Sequence, residues 1–328
     1  MSAYRQAPAH PLEGTSDGLR AQGPALRAVS EGEAAELLAH AAAQLRADDA
    51  LVRALVASTG LSAAGVRWAL RTTTDTCRVE TLLSLRRRTG IVFEGRTNRT
   101  NLAAVILAGN VFTAAVRAML LPLLLQVPVI VRASRRERVL PAALAASLPP
   151  PFRQACAVVE FDPTDEPASR ALLSRADVVH VYGSDATVAR WRALAPASAA
   201  FVPHGHGLGA AVLPAFVTQL ERAAAALSVD VAAYDQRGCL SPLRVLVEGD
   251  ARRADSFAEA LAGALRDREE VLPRGEASGD ARAAEARWRS LAAALAPRVW
   301  EAPRWAGARA GADPLPPPPG QRLVVVEA

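Results

Sequence analysis

Four short apolar runs in the middle of the chain constrain its fold more than any other feature. They are Ala103 to Leu107, Val127 to Val131, Cys156 to Phe161 and Val178 to Tyr182, each nearly continuous in apolar residues. A strand with one wet face alternates polar and apolar side chains, whereas a continuous run suits a strand covered on both faces. Helical stretches separate the runs: Phe112 to Leu125, Arg138 to Ser147 and Ala168 to Ser174. Strand and helix in alternation predict a parallel sheet with helices on its faces, and ligands then bind beyond the carboxyl ends of the strands.

The flanking sequence extends this plan. Between Glu33 and Arg87 apolar residues recur at helical spacing, as in Leu37, Leu38, Ala41 and Leu45, and Ser62 is a candidate cap for a helix from Ala64 to Leu70. Residues 1–30 are rich in Ala, Pro, Gly and Ser without a period and read as a flexible tail. Late in the chain come a strand at Leu243 to Glu248, helices at Ser256 to Arg266 and Ala281 to Leu295, a stiff run Pro316 to Pro319, and strand-like Leu323 to Val326. A domain change is expected near Phe201 to Gly209.

Several function classes fall away on composition. The pI near 9.8 suggests a polyanion partner, but every one of the 38 basic residues is Arg. These Arg residues are interleaved with Asp and Glu, as in Arg266-Asp-Arg-Glu269, which is the pattern of solvated helix faces; no nucleic-acid partner is expected. Leu102 to Val131 is apolar, but Gly109-Asn110, Pro122 and Pro128 interrupt it, and a membrane span needs about 20 continuous apolar residues. No signal peptide is evident, and three widely spaced cysteines do not make a disulfide framework, so a reducing, cytoplasmic setting is expected.

Four segments could carry chemistry. In Tyr234-Asp-Gln-Arg-Gly-Cys-Leu-Ser-Pro242 a cysteine follows a glycine just ahead of a strand. A thiolate both attacks and leaves well, which suits thioester chemistry, although a buried small apolar residue fits the same pattern. Ala108-Gly109-Asn110 ends one strand, and the Asn amide could serve a developing oxyanion or cap the next helix. Tyr182-Gly183-Ser184-Asp185 joins a buried strand to a helix, where a dinucleotide pyrophosphate or an ordinary capped turn would fit; the full G-x-G-x-x-G fingerprint is missing. Pro203-His204-Gly205-His206-Gly207 has too few ligands nearby for zinc, so no metal is expected, and it reads as a proton carrier or a connector.

Taken together, these stretches resemble the fatty-acyl-CoA reductases typified by the reductase component of bacterial bioluminescence, a branch of the aldehyde dehydrogenase superfamily. The matching segments are Leu107 to Val111, Val129 to Ser134, Ala176 to Asp185, Phe201 to His206, Ala233 to Pro242 and Leu272-Pro-Arg-Gly275, in the family's order. The resemblance implies an α/β, aldehyde dehydrogenase-like fold: a Rossmann-type parallel-sheet cofactor domain with its helical lead-in over residues 31–205, and a smaller α/β catalytic domain over 206–328, C-terminally shortened against the family.

The resemblance also implies an activity and its residues. Cys239 would carry the acyl group, Asn110 would hold the oxyanion, and Gly183 and Ser184 would lie at the pyrophosphate of NADPH, or of NADH. The strand ending Arg132-Ala-Ser134 would contact the adenosine ribose, with Arg132 where a Lys is usual. His204 stands near where oxidising relatives place a water-activating glutamate, and no acid occurs between Phe201 and Gly209. Hydrolysis of the acyl-enzyme should then be slow, which favours reduction of a fatty acyl-CoA or acyl-protein thioester to an aldehyde. Expected partners are acyl-protein synthetase or acyltransferase subunits and further copies of the chain. The competing readings are a non-catalytic acyl-binding scaffold subunit and an oxidising aldehyde dehydrogenase.

Overall fold

A computed structural model describes residues 10–46, 48–93, 100–205, 207–311 and 314–328. Residues 1–9 of the expected tail, and His206 of the His-Gly-His segment, lie outside the described residues. The chain divides into two units, one formed by 1–54 and 70–206, the other by 55–69 and 207–328.

The first unit begins earlier than the composition suggests. Residues 10–30, expected as part of a flexible tail, form helices Pro11–Arg20 (α1) and Gly23–Arg27 (α2). Their prolines mark helix starts: Pro11 and Pro24 stand in the first turns, and His10 Nδ1 accepts a hydrogen bond from the Leu12 amide at 3.2 Å. Leu19 and Leu26 are buried and anchor the two helices. Helices Glu31–Gln44 (α3), Asp49–Thr59 (α4), Ala63–Asp75 (α5) and Val79–Phe93 (α6) follow, the facing ends of α4 and α5 belonging to the second unit.

A five-stranded sheet makes the core of the first unit. Its elements are Ala103–Ile106 (β1), Ala114–Leu124 (α7), Val129–Arg132 (β2), Val139–Ser147 (α8), Cys156–Val159 (β3), Glu166–Leu173 (α9), Val178–Tyr182 (β4), Asp185–Leu194 (α10) and Ala200–His204 (β5). All pairings are parallel, in the order β3-β2-β1-β4-β5. On one face Ala104, Ile106, Ile130, Val179 and Val181 pack with Leu172, Leu173 and Trp191 of α9 and α10 and with Leu19 of α1. Val105, Val129 and Val131, which alternate with these along their strands, are also fully buried, and α7 packs on β1 and β2. Burial on both faces is the physical reason the β1 and β2 runs are continuous; β3 and one face of β4 are half-buried.

The second unit has its own five-stranded sheet, in the order β6-β7-β10-β9-β8. Its elements are Gly209–Leu213 (β6), Leu220–Ala232 (α11), Pro242–Val247 (β7), Ala251–Val271 (α12), Gly279–Leu295 (α13), Arg298–Ala302 (β8), Trp305–Arg309 (β9) and Leu323–Glu327 (β10). The last strand is central, parallel to β7 on one side and β9 on the other, while β8 and β9 form an antiparallel hairpin. Val324 and Val326 point into a core with Phe257, Leu261 and Leu265 of α12. Leu323 and Val325 face Trp288 and Ala292 of α13. No single described helix is long and apolar enough to cross a membrane; only the pair α4 and α5, bent by 113°, passes jointly by length and composition.

Candidate active site

In the first sheet β1 is flanked by β2 and β4, so the chain turns opposite ways on leaving it, and such a switch point is where open α/β sheets bind ligands. Asn110 follows β1, Ser134 follows β2, Gly183 and Ser184 follow β4, and His204 ends β5. These side chains, distant in sequence, therefore share the carboxyl edge of one sheet. A Cβ on Gly109 would lie 2.7 Å from Ser134 Oγ and 2.8 Å from Arg136 Cβ, so the loops after β1 and β2 meet there. Asn110 is exposed in a bend, and α7 begins only at Ala114 with Thr113 at its N-cap position. Asn110 thus lies three residues ahead of that N-cap position.

At the end of β4 both expected residues have local duties. Ser184 is the N-cap of α10: its Oγ accepts the Thr187 amide at 3.3 Å and lies 3.0 Å from Thr187 Oγ1. A Cβ on Gly183 would fall 2.8 Å from Thr187 Cγ2, so the glycine is demanded by α10 itself. The amino end of α10 still brings backbone N–H groups and its positive dipole end to the edge. Arg132 is 6% exposed, donates to the Phe161 carbonyl at 3.0 Å and lies over the Phe161 ring at 5.7 Å. Burial lowers the pKa of its guanidinium, and its Nε has no partner. The exposed cations at the end of β2 are instead Arg135, Arg136 and Arg138. Arg135 and Arg138 pair with Asp162 and Glu160 and line an open cavity of about 480 Å³.

His204 is held by two neighbours across β4. Its ring stacks on Tyr182 with centroids 4.1 Å apart and planes 5° apart, and its Nε2 lies 3.3 Å from His180 Nδ1. The parallel register pairs Tyr182 with His204, which puts the three rings on one face. Burial, with the neighbouring His204 adding to it, drives His180 down to about 4, and burial lowers His204 as well. Both imidazoles are therefore neutral at pH 7. Among the described residues no group of three or more His, Cys, Asp or Glu could hold a metal ion.

The second unit contains Cys239. Cys239 is exposed, in a turn three positions ahead of the start of β7, where the Ser241 amide donates a hydrogen bond to the Gly238 carbonyl at 3.1 Å. The other thiols differ: Cys77 is buried and its pKa raised by burial, and burial pushes Cys156 up to about 12. Just upstream, Tyr234, Asp235 and Gln236 all have left-handed backbone, with φ of 53°, 50° and 63°. Such residues cost on the order of 1–3 kcal/mol each and persist only where surroundings enforce them.

The enforcing contacts are in the same unit. Asp235 pairs with Arg322 at 2.8 Å and accepts the Gly275 amide at 3.1 Å. Gln236 Nε2 donates to the carbonyls of Pro242 and Leu323, and its Oε1 accepts the Leu323 amide. A Cβ on Gly275 would lie 2.1 Å from the Gly60 carbonyl oxygen, which explains the glycine of the Leu-Pro-Arg-Gly segment. Sequence reading missed His180, Tyr182, Asp235, Gln236 and Arg322. The first two alternate along β4, a period-2 signal that could have found them; the other three depend on contacts across long separations.

Comparison with known proteins agrees with this architecture. The acyl-CoA reductase (LuxC) family model matches residues 33–306. Long-chain acyl-protein thioester reductase 2 of Photobacterium leiognathi is 27% identical over 177 residues, covering 52% of this chain and 36% of that protein. The match therefore spans little more than a third of the relative's length. Among solved structures, the NAD-dependent benzaldehyde dehydrogenase of Corynebacterium glutamicum superposes with a TM-score of 0.72 at 14% identity, over 97% of this chain and 76% of that one. Aldehyde dehydrogenase 21 of Physcomitrella patens gives 0.73 at 15% identity, over 95% and 71%. The fold is aldehyde dehydrogenase-like, and with most of its length matched, the chain belongs to the LuxC family of acyl-CoA reductases.

Proposed function

We propose that the protein reduces a fatty acyl thioester, acyl-CoA or acyl-protein, to the aldehyde through a thioester on Cys239. The observation that carries this reading is the family match over residues 33–306 of a chain whose one exposed cysteine stands in the turn before β7. A nicotinamide dinucleotide fits the carboxyl edge of the first sheet: a switch point, a close approach at Gly109 and the amino end of α10 are the features such a cofactor uses. Gly183, Ser184 and Ser134 would lie along it, and Arg132, turned under Phe161, would shape the ribose end from below. The bound cofactor supplies the hydride. Arg135, Arg136 and Arg138 are exposed at the end of β2, where an Arg suits the 2′-phosphate of NADPH.

The chain's own residues do the rest. The Cys239 thiolate attacks the acyl carbonyl, the Asn110 amide would serve the oxyanion, and His204 is the candidate proton carrier. The C–S bond to coenzyme A breaks, and the departing CoA thiolate takes up the one proton of the overall reaction. After reduction, the Cys239–carbon bond breaks, which frees the aldehyde and restores the thiolate. The sum is acyl-CoA + NAD(P)H + H⁺ → aldehyde + NAD(P)⁺ + CoA. No carboxylate occupies the stretch 201–209 to activate a hydrolytic water, so reduction is favoured over oxidation. An acyl-protein synthetase subunit is the natural donor of the protein-bound thioester, and self-association is expected.

The test is acyl transfer. Labelled acyl-CoA should mark Cys239 alone, and NADPH should release the label as aldehyde. Cys239→Ala should abolish both steps, Cys77→Ala and Cys156→Ala neither. Label that is taken up but never released by NADPH or NADH would leave an acyl-binding subunit; no uptake by the folded protein would end both readings.

A further inference from the structure

Cys239 sits in an exposed turn, yet the three residues upstream are all left-handed and two of them are buried. Asp235 and Gln236 are 2% and 4% exposed, and with Tyr234 they form a run of three non-glycine residues in left-handed conformation. Opposite them, Gln321 and Arg322 are left-handed too, with φ of 64° and 63°, after Gly320 at 87°. Two strained segments, 85 or more residues apart in sequence, are therefore locked against each other.

We propose that Asp235, Gln236 and Arg322 are positioning residues that aim the Cys239 turn by clamping it to the start of β10. The proposal rests on the reading of Cys239 as nucleophile. Gln236 joins both strands that flank the turn's exit: it donates to Pro242, the first residue of β7, at 2.7 Å and exchanges two bonds with Leu323, the first residue of β10, at 2.9 Å each. Arg322 holds the other side. It bonds Asp235 at 2.8 Å, Glu269 at 2.7 Å and the Leu272 carbonyl at 2.8 Å, so α12 is tied into the same knot. Tyr234 packs edge-on against Trp68 at 6.1 Å, and Arg237 donates to the Thr59 carbonyl at 2.5 Å.

The arrangement fixes both ends of a short turn. Residues 237–241 leave a backbone locked at 234–236 and enter a strand locked at 242, so the sulfur has little freedom to wander. Attack on a carbonyl is sensitive to such freedom: a 1 Å misplacement can cost on the order of a hundredfold in rate. A structural role alone would call for none of this, since α11 and β7 already pack through their apolar faces.

Gln236→Ala and the milder Asp235→Asn, which keeps an acceptor for the Gly275 amide, separate aiming from stability. Two measurements are made on the full chain well below the unfolding temperature of each variant: hydrogen exchange of residues 237–241, and single-turnover acylation of Cys239 at saturating acyl-CoA. Exchange should quicken and acylation should slow about tenfold or more in Gln236→Ala, with acyl-CoA affinity unchanged and Asp235→Asn in between. Unchanged exchange overturns the clamp. Quickened exchange with acylation at the wild-type rate overturns the aiming role and leaves a structural one. Wild-type protein that takes no acyl label overturns the nucleophile reading instead, and the exchange result still decides the clamp.

Discussion

The two sheets put their functional residues in place by opposite means. In the first, every proposed site residue sits at or just beyond the carboxyl end of a parallel strand, and the sheet packs mainly through apolar side chains. In the second, the turn that bears Cys239 is shaped by buried polar groups: Asp235 and Arg322 have side chains 2% and 3% exposed. Apolar packing tolerates local loss, because each side chain contributes separately. A buried polar network does not, because removing one member strands the others without partners.

Arg322→Leu is the strongest way to break the comparison. It leaves Asp235 and Glu269 without their shared cation, and loss of one partner of a buried pair costs about 3–5 kcal/mol. Arg132→Leu in the first unit removes one carbonyl bond and one ring contact and should cost less than half as much. Denaturant titration of both variants decides the matter; equal losses would erase the distinction between the units.

The same distinction governs what the sequence revealed. β4 was legible residue for residue and β1, β2, β3, β7 and β10 within about two residues at most ends, because each is a short, nearly continuous apolar run, although only β1, β2 and most of β10 are buried on both faces. Strand β6 is small and pale, Gly-Ala-Ala-Val-Leu, and the β8–β9 hairpin turns at Pro303-Arg304, which carries none of the usual hairpin dipeptides. Residues 10–30 misled by composition, since their prolines start helices. The segment that bears Cys239 stood out in the sequence as a candidate, but Arg322 did not: no local pattern says that an Arg ahead of one strand will pair with an Asp 87 positions earlier. Propensity and periodicity report neighbours in sequence, and the clamp is made of neighbours in space.

Asn110→Ala sharpens the comparison from the first unit's side. If the amide serves an oxyanion, turnover should fall on the order of a hundredfold with little change in the binding of acyl-CoA. Thermal stability should change little, because Asn110 is exposed and lies three residues ahead of Thr113, the N-cap position of α7. A fall in melting temperature with normal turnover would return Asn110 to a structural part.

Acid should act on the first unit through its histidines. His180 is held near 4 against an ordinary 6.5, so between those values the unfolded chain binds more protons than the folded one. The stability that comes from keeping His180 neutral is complete above about pH 6.5 and is lost as pH falls towards 4. His204, lowered in the same direction, adds to the slope. Melting temperatures taken from pH 8 to pH 4 should decline over that window, and His180→Gln should flatten the decline; an unaltered profile in the variant would remove His180 as its source.

The smallest expected effect is the most informative about the cofactor edge. Ser184 already caps α10, and its 3.3 Å bond to the Thr187 amide is long, so Ser184→Ala should cost no more than about 1 kcal/mol of stability. Ser184→Thr keeps a capping hydroxyl and should cost less. Cofactor affinity is the sharper readout, because a hydroxyl that also meets the pyrophosphate loses that contact in the Ala variant and keeps it in the Thr variant. Gly183 cannot answer the question, since any side chain there collides with Thr187 whether or not a cofactor binds. NADPH titration by fluorescence should therefore show several-fold weaker binding for Ser184→Ala and near-normal binding for Ser184→Thr. Equal affinity in all three proteins would assign the Ser184 hydroxyl to the helix alone and leave the backbone amides of α10 as the only pyrophosphate donors at this edge.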